Sequence, residues 1–385
     1  MTVSRRDFLK KTAIIGGAAG LGLPAIASAM GPDGVMRGAY LPEVGQQQKP
    51  LRILFLGGTG FTGPHQVQYA LDRGHKVTLF NRGRNTTIFP NVPRIQGDRN
   101  TPDAFRNIGT GEWDVVIDIP TADPKWVRDA GLALKERTPH YIFVSTISVF
   151  NDNSEPNDEN GKLFEPVDVN ATFNPQNYGA NKRASELEAA KHFRNVTVVR
   201  PGLIVGPGDN SDRFTYWPPR IEKGGEIMAP GTPDDPTQYI DARDFTEFMI
   251  RLAEQDASGT YNCVGPTSKG ITVGEMLYGI KAVTTADTRF TWVDADFIAA
   301  NRLRPYADLP VWMPPRGETE GWARMDCSKA IAAGLTFRTL ADTARATLAY
   351  YHAQPKERQE TLRAGLKPDR EREVLAAWHA RGGTR

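Results

Sequence analysis

Short apolar runs alternate with longer amphipathic ones along most of the chain. Leu51–Leu56 is a largely apolar run of strand length, and a helix-like stretch follows it past Gly57, Gly60 and Gly63. His75–Asn81 alternates and carries β-branched residues, and Arg94–Gln96 reads as a short third strand. Trp113–Ile119 and His140–Ser145 read as buried fourth and fifth strands. Helical periodicity fills Trp126–Glu136 and returns from Tyr178 to about His192. Further on, Gln238–Asp244 reads as a strand and turn leading into the helix Phe245–Ala253, and Tyr261–Gly265 returns to the sheet. Such alternation predicts an α/β protein with a doubly wound parallel sheet of the Rossmann type. The expected division is a dinucleotide-binding domain over 51–205, then 206–355 forming a smaller C-terminal substrate lobe and completing the sheet. A charged, helical tail covers 356–385, with Leu375 and Trp378 as its anchors.

The N-terminus departs from this pattern. Ser4-Arg5-Arg6-Asp7-Phe8-Leu9-Lys10 matches the twin-arginine export motif, an uncharged Gly/Ala-rich run covers Thr12–Ala29, and Ala27-Ser28-Ala29 offers a small-x-small cleavage site. Four glycines and Pro24 make this run a poor membrane span. The expectation is a signal peptide over 1–29, a Gly/Pro/Gln-rich lead-in over 30–50, passage through the twin-arginine translocase and a periplasmic or otherwise extracytoplasmic location. Charge points the same way: Arg5, Arg6, Lys10 and Lys11 against Asp7 give the segment +3, so the formal +2 of the chain leaves about −1 for the rest (+2 minus +3). A nearly neutral body makes no electrostatic case for nucleic acid. Cys263 and Cys327 are the only cysteines and suit buried small side chains, with a disulfide open to an exported protein. No metal-ligand spacing is present, so no metal is expected.

Two stretches carry the chemistry. In Gly57-Gly58-Thr59-Gly60-Phe61-Thr62-Gly63 the glycines follow GxxGxxG. Between a strand and a helix, Gly57 permits a tight turn, Gly60 lets backbone approach a pyrophosphate and Gly63 lets helix and strand pack closely, with Phe61 beside the same ligand. The end of the second strand, where an acid would select the ribose 2′-hydroxyl, reads Asn81-Arg82-Gly83-Arg84. Two guanidiniums and no acid favour NADP over NAD. Asp98 is placed to accept from the adenine amino group or to cap the following helix. The second stretch, Tyr178-Gly179-Ala180-Asn181-Lys182, puts Tyr178 and Lys182 on one helix face. A lysine ammonium near a phenol favours the phenolate, and Thr146, just past the fifth strand, can hold a substrate oxygen while Tyr178 moves its proton. Thr146, Tyr178 and Lys182 are the candidate catalytic residues, and Tyr178 and Lys182 also contact the cofactor.

The order and spacing of GGTGFTG, STISVF and YGANK, followed by Val198-Val199-Arg200-Pro201-Gly202 and Val205-Gly206-Pro207-Gly208-Asp209, resemble the extended short-chain dehydrogenases/reductases, the NAD-dependent epimerase/dehydratase group. The chain departs from that pattern at Ile119-Pro120-Thr121, Phe150 and Asn81. The resemblance implies transient hydride transfer, with Tyr178 as base, on a sugar or sugar derivative. It also places substrate contacts in the Asp212–Arg220 stretch, where Arg213 and Arg220 can grip hydroxyls or a carboxylate and Tyr216 and Trp217 can stack on a ring. Trp312–Pro315 and Trp322 are a further candidate wall, and assembly as a homodimer is left open. An exported enzyme has no general supply of NAD(P), so tight cofactor binding and redox-neutral epimerisation or elimination are expected. The alternative is an NADPH-dependent reductase of a small carbonyl compound.

Overall fold

The computed structural model describes residues 49–120, 122–267 and 270–382. The expected signal peptide, nearly all of the lead-in and Thr121 lie outside them.

Seven parallel strands form one sheet. They are β1 (Arg52–Leu56), β2 (Lys76–Asn81), β3 (Arg94–Gln96), β4 (Val115–Asp118), β5 (His140–Val144), β6 (Asn195–Pro201) and, after an excursion into the second lobe, a last strand, Gly259–Cys263. Their spatial order, from the last strand inward, is Gly259–Cys263, β6, β5, β4, β1, β2, β3. Chain order therefore reverses between β1 and β4, and the crevice at that reversal is where such sheets bind ligands. β1, β4 and β5 are buried over almost every residue, because helices cover both faces. α1 (Gly63–Asp72) packs on one face with Ala242–Glu254, while α2 (Lys125–Leu134) and α3 (Tyr178–His192) pack together on the other.

The second lobe has its own core, built on a parallel strand pair, β7 (Gly225–Pro230) and a partner over Thr288–Val293. Trp217, Trp312, Phe214 and Tyr239 fill it. The C-terminal tail is helical over Lys356–Glu360 and Pro368–Ala380, with Leu375 buried and Trp378 stacked edge-on against Phe297. Cys263 and Cys327 are both buried thiols, and desolvation raises both above the usual thiol range. Among the described residues no helix is long and apolar enough to cross a membrane, and no His/Cys/Asp/Glu group could hold a metal ion.

Candidate active site

The turn after β1 takes the shape its glycines allow. Gly57 sits at φ +124° and Gly58 at φ +83°, the left-handed region where a side chain is strained. A Cβ on Gly63 would lie 2.6 Å from the Gly58 carbonyl carbon, so only glycine lets α1 start this close to the turn. A Cβ on Gly60 would meet nothing within 4 Å and would project into open space at the cleft. The N-terminus of α1 has no side-chain cap, and its positive dipole end faces this turn, with the Gly63 N–H donating to the Gly60 carbonyl at 3.1 Å. Turn and helix end form one wall of a cavity of about 410 Å³ that also takes in Phe61, Ile119, Pro120, Thr146, Tyr178, Lys182, Pro201 and Arg213. These features fit a dinucleotide pyrophosphate.

The opposite wall is fixed by a close approach of two backbones. Thr146 follows β5, and its Oγ1 accepts from the Ser148 N–H at 3.1 Å, capping a short helical turn. α3 packs against that turn at Gly179, where a Cβ would stand 2.2 Å from the Ser148 carbonyl oxygen. Gly179 therefore brings Tyr178 up to the Thr146 turn, and both residues line the cleft. Tyr178 is 45% exposed, toward the cleft. Partial burial raises its phenol above the usual value, against the Thr146 hydrogen bond and the charge of Arg213, which both lower it.

Lys182 lies one turn along and is only 3% exposed. Its Nζ donates to the Val144 carbonyl at 2.6 Å and stands 4.4 Å from the Phe143 ring centroid. Burial pulls the amine down to about 8, with Asp118 and Glu186 opposing. Lys182 is not among the groups acting on the Tyr178 phenol; Arg213 is. The Val144 carbonyl holds the Lys182 amine beside Tyr178 in the same cavity.

Arg82, Arg84 and Asp98 line a separate cavity of about 500 Å³, joined by Gln96 and Arg106. Asp98 accepts from both the backbone and side-chain nitrogens of Asn100, which hold it below the usual carboxylate range. The helix it was expected to cap from near Thr101 is absent: turns lead to a short 3-10 segment at Arg106–Ile108, so Asp98 closes a local turn instead. Asn81 turns inward: its Nδ2 donates to the Gly57 carbonyl at 3.2 Å and its Oδ1 accepts from Gly83, so it braces the glycine turn.

Three expected substrate contacts are corrected. Trp217 is 0% exposed and donates its indole N–H to the Pro310 carbonyl in the second core. Tyr216 is buried beside it. Arg220 is held by Glu371 at 2.8 Å and by the Gly224 and Glu226 carbonyls. The alternation of aromatics and prolines here builds a lobe core, because that small lobe needs large side chains to fill it. Only Arg213 of that set lines the cleft. Trp312 is likewise buried, bonded to Asp235, while Trp322 stacks edge-on against Tyr306.

Sequence reasoning missed two buried ion-pair networks behind the site. Asp118 is fully buried at the end of β4, paired with Arg99 at 2.5 Å and hydrogen-bonded by the Tyr141 hydroxyl. Glu186 of α3 accepts from Ser145 at 2.7 Å and from Arg200 through two nitrogens at 2.9 Å. His65 of α1 bonds the Pro207 carbonyl at 2.8 Å, clamping the Gly206–Asp209 segment over the glycine turn.

Sheet order, glycine turn and helix-borne Tyr/Lys pair define a dinucleotide-binding α/β fold of the Rossmann type. The NAD dependent epimerase/dehydratase family matches residues 53–264, more than half of the chain, and the protein belongs to that family. A curated relative, chloroplast stem-loop binding protein of 41 kDa b from Arabidopsis thaliana, is 25% identical over 238 residues, 58% of this chain. The match spans 60% of that relative's length. Among solved structures, UDP-glucuronic acid 4-epimerase from Bacillus cereus in complex with NAD is 16% identical, covers 78% of this chain and 99% of its own, and superposes with a TM-score of 0.56. RMD from Pseudomonas aeruginosa complexed with NADPH is 18% identical, covering 79% and 98%, with a TM-score of 0.55. At these identities the two structures attest the fold.

Proposed function

We propose that this protein is an NAD(P)-dependent enzyme acting on a sugar or sugar derivative by transient hydride transfer, with Tyr178 as the acid–base group. The observation that carries this reading is the meeting of Thr146, Tyr178 and Lys182 on one wall of a cleft whose other wall is the glycine turn. The glycine turn and the α1 N-terminus would hold the pyrophosphate of a dinucleotide, with Phe61 lining the same cavity. The dinucleotide supplies a hydride acceptor that can also give the hydride back. Thr146 positions the reacting hydroxyl, Tyr178 takes its proton, and Lys182 fixes the end of β5 through Val144 and would hold the cofactor ribose. Proton return from Tyr178 closes an epimerisation or an elimination.

NADP is the favoured cofactor, on the strength of Arg82 and Arg84, which are exposed at the adenosine end and stand in no ion pair among the described residues. The Ser4–Lys10 motif supports export through the twin-arginine pathway, and a tightly held cofactor follows from that location. The plant relative is named for binding a stem-loop, but the near-neutral body of this chain favours a small-molecule substrate.

Purification of the exported protein tests the reading. Bound nucleotide that survives dialysis and is identified by mass spectrometry supports redox-neutral chemistry. Ready exchange, with stoichiometric consumption of added NADPH by a carbonyl compound, would shift the reading to the reductase alternative.

A further inference from the structure

Lys182 is a buried cation without an ion pair. Its amine meets the neutral Val144 carbonyl and the Phe143 ring, and no carboxylate among the described residues stands within salt-bridge distance of it. A buried ammonium with no negative charge near it tends to shed its proton. Two carboxylates act on this one from further off, Asp118 and Glu186. Glu186 accepts from Arg200 through two nitrogens and from Arg183 at 3.1 Å, so two guanidiniums already share its charge. Asp118 has one guanidinium, Arg99, and its other partner is the uncharged Tyr141 hydroxyl.

The sheet sets this acid beside the lysine. Asp118 on β4 pairs in register with Phe143 on β5, so the two side chains leave strands about 4.8 Å apart on the same face. The Lys182 Nζ stands over that Phe143 ring, 4.4 Å from its centroid. Arg99 comes from the other side. It follows β3, which the strand order places across β4 from β5, and it reaches Asp118 past the rings of Phe105 and Trp126. Asp118 therefore stands between two cations. Burial is the main influence lowering the Lys182 amine; Asp118 leads the charges opposing it, ahead of Glu186, and Arg99 works against them. Besides Asp118, Arg99 and Glu186, the titratable groups around the amine are Tyr178 on α3 and Tyr141 on β5, with Arg200 of β6 behind Glu186.

We propose that Asp118 is a positioning residue of the active site, the counter-ion that keeps Lys182 an ammonium. The Arg99–Asp118 pair then has a second role besides tying β4 to the loop after β3. Arg99 holds the carboxylate in place and draws off part of its charge, and the remainder acts on Lys182. This rests on the hydride-transfer reading only for what the ammonium does. Its charge is read on the protein without nucleotide, so the two can fail separately.

The test uses full-length protein carrying ¹³C at the lysine Cε, free of nucleotide, titrated by NMR from about pH 6 to about pH 11. The Lys182 signal is assigned by its loss in Lys182→Met. In wild type the amine should titrate at about 8. Asp118→Asn should lower that midpoint by about 1 pH unit or more, and Arg99→Gln should raise it. Asp118→Asn leaves Arg99 unpaired in the interior, so the double variant Asp118→Asn/Arg99→Gln decides if the single one does not fold. Its midpoint should still fall, because Asp118 acts on the amine more strongly than Arg99 does. A merely structural role gives the opposite sign: a loosened interior admits water and moves the midpoint up toward the roughly 10.4 of a free lysine. A midpoint equal to or above the wild-type value in the Asp118 variants overturns the proposal. So does a wild-type midpoint below about 7, which would leave Lys182 mostly uncharged at neutral pH.

Discussion

The two ends of the cleft are built in opposite ways. At the chemical end three polar groups are held by the surrounding fold: Lys182 by the Val144 carbonyl, Thr146 by the Ser148 N–H, Ser145 by Glu186. At the adenosine end Arg82 and Arg84 are exposed, and Asp98 is held by a neighbour two residues away. Buried, mutually satisfied groups are costly to move and keep a reacting geometry, whereas exposed charges can be exchanged with little effect on the fold. On the proposed reading, the Thr146–Lys182 end is the half that keeps its geometry, and the Arg82–Arg84 end is the adjustable half that would set cofactor choice.

Substitutions that break or sharpen this contrast can be ranked. The largest effect belongs to Tyr178→Phe, which should lower kcat by about 10³-fold, or roughly 4 kcal/mol, and leave NADPH affinity unchanged in a fluorescence titration. An unchanged kcat would remove the phenol from the chemistry. Next, Lys182→Met should abolish most turnover yet stabilise the fold. Burial lowers the amine to about 8 from the 10.5 of a free lysine, so the ammonium is disfavoured in the folded state. That penalty is fully present below pH 8 and is relieved as pH rises from about 8 to 10.5. Denaturant melts at pH 7 should show a gain on the order of 1–3 kcal/mol for the variant, after the loss of the Val144 hydrogen bond, and the gain should vanish above pH 10.5. A gain that grows with pH would contradict the assignment. At the adjustable end, Arg82→Ala combined with Arg84→Ala should weaken NADPH by about 10–100-fold and leave NADH within a factor of about two. Equal loss for both nucleotides would mean that the arginines do not read a 2′-phosphate. The smallest effect is expected from Asp98→Asn, under about 3-fold on either nucleotide, because the residue is solvated and already bonded to Asn100.

The sheet was legible because its strands are buried on both faces and leave long apolar runs, and the glycine turn because three positions there have a steric reason to be glycine. Thr146, Tyr178 and Lys182 were legible because helix and strand periodicity fix their spacing. The Asp212–Arg220 stretch was misread in three of four residues. Aromatics interleaved with arginines look the same along a chain whether they face a sugar or a core, and Glu371, Gly224 and Pro310, which claim Arg220 and Trp217, are distant in sequence or anonymous in type. The Asp118–Arg99 and Glu186–Arg200 pairs were invisible for the same reason, since nothing local marks which charges will be buried together.

Dinucleotide binding at the glycine turn underlies everything said of the chemistry, and Gly60 offers a clean probe of it. A side chain there meets no protein atom within 4 Å and needs no positive φ, so Gly60→Asp should leave the thermal midpoint unchanged while placing a carboxylate where the pyrophosphate lies. Titration of NADPH into wild type and Gly60→Asp, followed by fluorescence, should show one nucleotide per chain in the first and a loss of about 100-fold or more in the second. Equal affinity in the two proteins would contradict the assignment of this cleft to a dinucleotide.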